Sequence, residues 1–470
     1  MIKFGTGGFR AIIGEDFTRS NLEMLSLALI RMIKRDGMEE EPVIIGYDRR
    51  FLSDIAAKWI ACVFAAEEIK IHLIHYDAPT PLIMFQVMKE NASYGMAVTA
   101  SHNPAEYNGV KIFTAGGRDA TEEVTDEIEA QIAKIIPSGI CSMDYSQAIA
   151  TGVIKEINPQ NNYIDSILNV IDIKAIKQKS LKILLDPMFG VSKTTLQTIL
   201  LTCRCSVDAI HDRHDTLFGG RLPAPNSSTL THLAQMVVQG GYDLGIATDG
   251  DADRIGLIDT NGTFIHPNDI LVLLYYYLHE FKGWKGAVVR SIATTHCLDR
   301  MADSFGENCY EVPVGFKHIS SKMEQTDALI GGESSGGLTV RGHIHGKDGV
   351  YAGTLLVEMI SVIGKPLYEV LNDIHKKFGT FVMDEYDCHM TDKHKDELTH
   401  MLFEEKQLPQ FDMEIEKVSY LDGCKVYFKN GGWIICRFSG TEPVLRIFCE
   451  MACMEESVRV NQIFREFLHV

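Results

Sequence analysis

The sequence of 470 residues has little that would send it outside a reducing compartment. Its 11 cysteines are odd in number and scattered singly, with no C-x-x-C pair; Cys203 with Cys205 and Cys449 with Cys453 come closest. A disulfide framework and a zinc ribbon are thereby excluded, and a cytoplasmic location is expected. No apolar run approaches the roughly 18 residues of a membrane helix, and Ile270 to Leu278 is far too short. The amino terminus has no apolar signal core, so the N-x-S/T matches at Asn91, Asn226 and Asn261 read as chance. Positive charge is scarce as well. Lys plus Arg is 45 against 63 Asp plus Glu, a net −18. That field repels nucleic acid and anionic membranes, so neither is expected as a partner. An anionic small substrate would need a locally basic pocket.

What is present is an ordinary globular composition, with 46% hydrophobic and 23% charged residues. The length predicts about three or four domains. Strand-like runs alternate with helical spacing. Pro42 to Gly46, Lys70 to Ile74 and Tyr94 to Thr99 read as strands, with helices over Ser53 to Ala66 and Thr121 to Ile135. The alternation restarts at Leu181 and again near residue 260, after the hairpin signal Asn261-Gly262. Beyond about residue 375 the style changes. Two strands flank Asn430-Gly431-Gly432, and a helix spans Glu455 to Leu468. The expected fold is α/β: three similar α/β/α sheet domains (1–150, 151–258, 259–374) and a smaller C-terminal α+β domain (375–470).

Four loops carry chemistry. Thr99-Ala100-Ser101-His102-Asn103-Pro104 leaves a strand and enters an Asn-Pro turn, which fixes the Ser101 hydroxyl at a strand end. That hydroxyl reads as a nucleophile or phosphoryl acceptor. A Ser101–His102 dyad is not implied, because neighbours on a strand point to opposite faces. Asp249-Gly250-Asp251-Ala252-Asp253-Arg254 sets three carboxylates at alternate positions in one turn. They repel one another unless a cation sits among them, and their hard oxygens suit Mg²⁺. An EF-hand is excluded by Arg254 and Thr260, which stand where that loop needs Gly and Glu. Gly331-Gly332-Glu333-Ser334-Ser335-Gly336-Gly337 offers a carboxylate and hydroxyls to a polyol. Arg437-Phe438-Ser439-Gly440-Thr441-Glu442-Pro443, with Arg446 beyond, has the makings of a phosphate cradle. Gly5-Thr6-Gly7-Gly8-Phe9-Arg10 and Gly315-Phe316-Lys317 each add a cation near a turn. A hydroxyl, a metal site, a polyol grip and a phosphate cradle together specify metal-assisted phosphoryl transfer on a phosphorylated sugar.

The motifs T-A-S-H-N-P, D-G-D-x-D-R and R-x-S-G-T-E-P resemble those of the α-D-phosphohexomutase superfamily, in its order and along the whole chain. The resemblance implies four domains around a central cleft. It makes Ser101 the phosphoserine carrier and Asp249, Asp251 and Asp253 the Mg²⁺ ligands, together with the Ser101 phosphoryl group. Glu333 and Ser335 would grip sugar hydroxyls, while Arg437, Ser439, Gly440, Thr441 and Arg446 would hold the phosphate that is not reacting. Arg10, His102, Lys111 and Arg254 would surround the reacting phosphoryl group, and Lys317 would reach the substrate. Lys111 and His102 are the candidates for the base. The implied activity is a phosphoglucomutase/phosphomannomutase, with glucose phosphates first and mannose phosphates next, through a hexose 1,6-bisphosphate that also serves as activator. Alternatives are a phosphoglucosamine or phosphopentose mutase, an Mg²⁺-dependent sugar phosphatase and a non-catalytic sensor. A monomer or homodimer is expected. Two departures stand out: the N-terminal motif has Gly7 where the family often has Ser, and the sugar loop has Gly337 where it often has His, which bears on the choice of sugar.

Overall fold

Buried apolar strands joined by amphipathic helices build three sheets on one plan. The structure, a computed structural model, describes residues 2–5, 7–438 and 444–470. In the first sheet Val43–Tyr47 lies between two parallel partners, Ile71–Asp77 and Tyr94–Val98. Tyr94–Val98 then pairs antiparallel with Tyr107–Thr114. The second sheet repeats this with Lys182–Asp186 between Ser206–Ala209 and Leu244–Thr248, and with Ile255–Asp259 returning antiparallel. The third has Val288–Ser291 between Cys309–Val312 and Ile330–Gly332, followed by Leu338–Val340. Parallel neighbours need a long crossover, whereas an antiparallel return needs only a turn. The loops at 99–106, 249–254 and 333–337 all occupy that one turn of the plan. They sit at the carboxyl ends of parallel strands, where sheets of this kind build their sites.

Two edges extend beyond the expected boundaries. Ile154–Ile157 pairs in parallel with Ile71–Asp77, so the first sheet runs past residue 150. Phe264–Ile265, after the Asn261-Gly262 turn, pairs with Ile255–Asp259 and carries the second sheet past 258. Helices that the spacing did not reveal fill the layers. Arg19–Asp36 starts where the Thr18 side chain accepts from the Asn21 N–H, stops at left-handed Gly37, and packs on Ser53–Ala66.

One apolar core runs continuously through the first three units. Its axis is the helix Gly349–Ile363, buried over nearly its whole length. The one carboxylate on that helix, Glu358, accepts from the Tyr277 hydroxyl at 2.5 Å, Lys282 Nζ at 2.6 Å and the Asp172 N–H at 2.7 Å. No single helix among the described residues is long and apolar enough to cross a membrane.

The fourth unit is an antiparallel sheet in the order Val382–His389, Val444–Met451, Trp433–Phe438, Cys424–Phe428, Ile415–Ser419, with the helix Met454–Leu468 packed against it. It docks on the third unit through Tyr427, Trp433 and Ile435 against Ile292 and Ala293. Charged groups are buried in that contact. Lys425 Nζ donates to the Ile292 carbonyl at 2.6 Å and to Glu311 at 2.9 Å, and Trp433 Nε1 donates to Glu450 at 2.9 Å. Trp433→Ala removes a fully buried ring and leaves Glu450 short of a donor. The expected cost is about 3–5 kcal/mol, read as an early unfolding transition of the fourth unit in urea monitored by amide exchange.

Candidate active site

The Ser101 loop is held in a conformation it would not adopt alone. Ser101 has φ 52°, in the left-handed region, and is fully buried. Two residues just after the strand Val43–Tyr47 hold it there. Arg50 donates to four carbonyls of the loop and its exit: Ser101 at 2.7 Å, Asn103 at 2.6 Å, Pro104 at 2.8 Å and Tyr107 at 3.0 Å. Asp48 accepts from the Thr99 hydroxyl at 2.6 Å, and Thr99 Oγ1 in turn accepts from the Ser101 N–H at 2.8 Å. The Arg50 guanidinium also lies 4.8 Å from the centre of the Phe218 ring, a residue of the second unit. Neither Asp48 nor Arg50 stood out in the sequence; the only signal was Asp-Arg-Arg directly after a buried strand.

The carboxylate turn meets this loop directly. Ser101 Oγ donates to Asp249 Oδ2 at 2.7 Å. The other Asp249 oxygen accepts from the backbone N–H groups of Asp253 at 3.1 Å and Arg254 at 3.0 Å. A Cβ on Gly250 would stand 2.7 Å from the Ser101 carbonyl oxygen, so only glycine lets the two loops approach. All three carboxylates are buried, with ligand atoms within 4.8 Å of one another. Cations from other elements converge on them. Lys111 Nζ donates to Asp251 at 2.5 Å and Asp253 at 2.6 Å, and Lys347 Nζ lies 2.9 Å from Asp253. The Thr80 hydroxyl donates to Asp251 at 2.7 Å. Asp251 Oδ1 and Asp253 Oδ1 remain buried without a hydrogen bond. Two unsatisfied carboxylate oxygens beside a hydroxyl-facing Asp249 fit a small divalent cation with oxygen ligands.

The electrostatics follow from this packing. Burial and the neighbouring Asp251 and Asp253 push Asp249 well above the usual carboxylate range. Burial would raise Asp253 too, but Lys111, Lys347 and Arg254 hold it well below. Burial would depress Lys111, yet Asp251 and Asp253 raise it above its ordinary value. With both carboxylates facing it, Lys111 is held as an ammonium. His102 is the opposite case. Burial, Arg254 and Arg10 hold it well below the ordinary histidine value, and its Nδ1 lies 3.5 Å from Ser101 Oγ. It is a neutral imidazole at neutral pH. Arg10 donates to Asn103 Oδ1 at 2.5 Å, while the Nε atoms of Arg10 and Arg254 have no hydrogen-bond partner. Two close guanidiniums with spare donors are suited to an anion.

The polyol loop is fastened to the carboxylate turn. Ile255 N donates to the Gly336 carbonyl at 3.1 Å, and Arg254 bridges to Gly337. Glu333 accepts from the Gly315 N–H at 3.1 Å and the Ser335 hydroxyl at 2.9 Å. Lys317 lies in the first turn of the helix Phe316–Thr326 and pairs with Glu122 of the first unit at 2.6 Å. Arg437 and Arg446 face each other across neighbouring strands. Asp422 accepts from Arg437 at 3.4 Å and also from the Val314 N–H at 2.8 Å, joining the fourth unit to the loop that carries Lys317. Arg446 lies 3.8 Å from Asp387. Ser439, Gly440 and Thr441 lie outside the described residues. Thr80 and Lys347 escaped the sequence reading because each belongs to the site only through the fold.

Known proteins share this sequence pattern and fold. Three family models match: "Phosphoglucomutase/phosphomannomutase, alpha/beta/alpha domain I" over residues 1–138, domain II over 161–262 and domain III over 266–378. The chain is 30% identical over 458 residues to a phosphoglucomutase/phosphomannomutase of Thermococcus kodakarensis, covering 97% of this chain and 96% of that one. It is 28% identical to a protein of Methanothermobacter thermautotrophicus described as "Probable phosphoglucosamine mutase", over 99% and 97% of the two chains. Among solved structures, a protein of Thermus thermophilus superimposes with TM-score 0.87 at 29% identity, covering 100% of this chain and 99% of that one.

At the Ser101 loop, Arg50→Lys keeps the charge but loses the planar fork that reaches four carbonyls. Amide exchange across residues 99–106 should then quicken at least about tenfold, the weight of one lost charge-assisted hydrogen bond. Mass-spectrometric exchange checks this against the strand 43–47, which should keep its protection.

Proposed function

Because the chain belongs to the phosphoglucomutase/phosphomannomutase family of the α-D-phosphohexomutase superfamily, we propose that it interconverts hexose 1-phosphates and hexose 6-phosphates through a phosphorylated Ser101. Enzymes of this family are intramolecular phosphotransferases. The observation that carries the reading is the Ser101 hydroxyl 2.7 Å from Asp249, inside a ring of cations drawn from three units. Asp249, Asp251, Asp253 and a Ser101 phosphoryl oxygen would hold Mg²⁺, which when bound supplies positive charge to the phosphoryl oxygens. The residues of the chain do the rest. Arg10, Arg254 and Lys111 neutralise the group in flight. The P–O bond to Ser101 breaks as a P–O bond to the free sugar hydroxyl forms, and the hydroxyl proton passes to a base. His102, a neutral imidazole 3.5 Å from Ser101 Oγ, and Lys111, once a cation takes over Asp251 and Asp253, are the two candidates for that base. The hexose 1,6-bisphosphate then turns end for end, and its other phosphate returns to Ser101. Glu333 and Ser335 orient the ring, while Arg437 and Arg446 with the loop between them hold the idle phosphate.

Glucose phosphates, with mannose phosphates accepted, remain the first expectation from the motifs. The phosphoglucosamine mutase description of a relative favours a second sugar class, the hexosamine phosphates. The 11 free thiols support a reducing cytoplasmic setting.

A side-by-side assay with Mg²⁺ and a trace of hexose 1,6-bisphosphate tests the reading on the 1-phosphates of glucose, mannose, glucosamine and ribose, scoring isomer and free phosphate separately. Isomer is expected, and Ser101→Ala should abolish it. Free phosphate without isomer would move the reading to a phosphatase. Chelation with EDTA should stop turnover and added Mg²⁺ restore it. Asp253→Asn should weaken Mg²⁺ at least about tenfold in a titration that needs no turnover.

A further inference from the structure

The second sheet carries, at the carboxyl ends of its parallel strands, a group of titratable side chains that phosphoryl transfer does not use. Asp186 ends the strand Lys182–Asp186, and His211 follows the neighbouring strand Ser206–Ala209. His232 lies in the first turn of the helix Thr231–Gly240. Three separate elements bring a carboxylate and two imidazoles together. Asp186 Oδ2 is 2.9 Å from His211 Nδ1, and His211 Nε2 is 3.2 Å from His232 Nδ1. Asp186 is buried, His211 is partly exposed and His232 is exposed. The group therefore opens from a buried charge toward solvent.

The chemistry of the three groups sets the direction of the middle ring. Asp186 is anchored, because its other oxygen accepts from the Met188 N–H at 2.8 Å. A carboxylate beside Nδ1 calls for a proton on Nδ1, which leaves the lone pair of a neutral His211 on Nε2. That lone pair faces His232 Nδ1. Without a cation, a His232 proton fills the gap. With a cation, both nitrogens can serve as ligands after a small turn of the exposed His232 ring. Two imidazole nitrogens each about 2.0–2.1 Å from a tetrahedral Zn²⁺ stand roughly 3.3 Å apart. The observed spacing is already close to that of a ligand pair. A carboxylate behind one imidazole is also the arrangement that orients and strengthens metal-binding histidines. Imidazoles suit Zn²⁺, whereas the all-oxygen turn at 249–253 suits a hard cation. The pair is joined to that turn through the backbone. The His211 carbonyl accepts from the Phe189 N–H at 2.7 Å, and a Cβ on the adjacent Gly190 would stand 2.5 Å from the Gly250 carbonyl oxygen.

We propose that His211 and His232, with Asp186 behind His211, form a second cation site that takes Zn²⁺, water completing its coordination. The inference does not depend on the mutase reading, since it needs neither a substrate nor a phosphate on Ser101. A cation held there ties the segment after the strand Ser206–Ala209 to the helix Thr231–Gly240, on the side of the loop that underlies Gly250.

Calorimetric titration with Zn²⁺, in excess Mg²⁺, tests this on the intact protein, His232→Ala, Asp186→Asn and Asp253→Asn. His232 is exposed, so its replacement spares the core. The exposed thiols of Cys141 and Cys453 are common to all four proteins and drop out of the comparison. The intact protein should show a Zn²⁺ binding event that His232→Ala removes and Asp253→Asn keeps. Asp186→Asn retains both ligands but loses the charge that orients His211, and should weaken the same event at least about tenfold. An isotherm unchanged in His232→Ala would overturn the proposal and leave the two rings as a hydrogen-bonded pair only. A Zn²⁺ event lost in Asp253→Asn and kept in His232→Ala would overturn it as well, by placing the ion in the carboxylate turn. Should Asp186→Asn fail to fold, the contrast between His232→Ala and Asp253→Asn decides the matter alone.

Discussion

Three carboxylates buried within one turn repel one another, and the structure around residues 249–253 is the answer to that repulsion. Backbone N–H groups take one oxygen of Asp249, and the Ser101 hydroxyl takes the other. Lys111 and Thr80 come from the first unit and Lys347 from the third to meet Asp251 and Asp253. The turn therefore holds three units together as well as offering a cation site. Its two unsatisfied oxygens are the part of the arrangement left for a metal. The Ser101 loop depends on the same centre, since it is pinned on one side by Arg50 and on the other by Asp249.

The shared sheet plan explains why separate loops can serve one reaction. In each of the first three units the loop with the candidate residues is the short turn from a parallel strand to its antiparallel neighbour. Three copies of one topology, packed on a common core, bring three such turns into contact. The fourth unit is attached differently, through a wedge of aromatic rings with buried charge inside it. Asp422 continues that attachment toward the cleft by holding both Arg437 and the backbone beside Lys317.

Much of this was legible in the residues. The strands at 42–46, 181–185 and 424–428 stood out as apolar runs, because strands covered on both faces carry no polar alternation. Ser101, the three aspartates and Glu333 stood out because their loops combine residue types that a surface turn does not need. The residues that were missed act at a distance in sequence. Thr80 and Lys347 have no local pattern, Asp48 and Arg50 only the Asp-Arg-Arg after a buried strand, and the fold alone brings all four to the site. The sheet edges at 154–157 and 264–265 were missed for the same reason: short strands without alternation are defined by their partners. Lys317 was legible as a cation near the cleft, but its pairing with Glu122 was not.

The central claim is that Ser101 carries the phosphoryl group because the carboxylate turn holds its hydroxyl beside a cation site. Intact-mass and peptide mapping after incubation with glucose 1,6-bisphosphate test it directly, with Mg²⁺ and then with EDTA. The account predicts one phosphate, on Ser101, that returns to added hexose monophosphate only when Mg²⁺ is present. A phosphate on any other residue, or none on Ser101 in the presence of Mg²⁺, would contradict it.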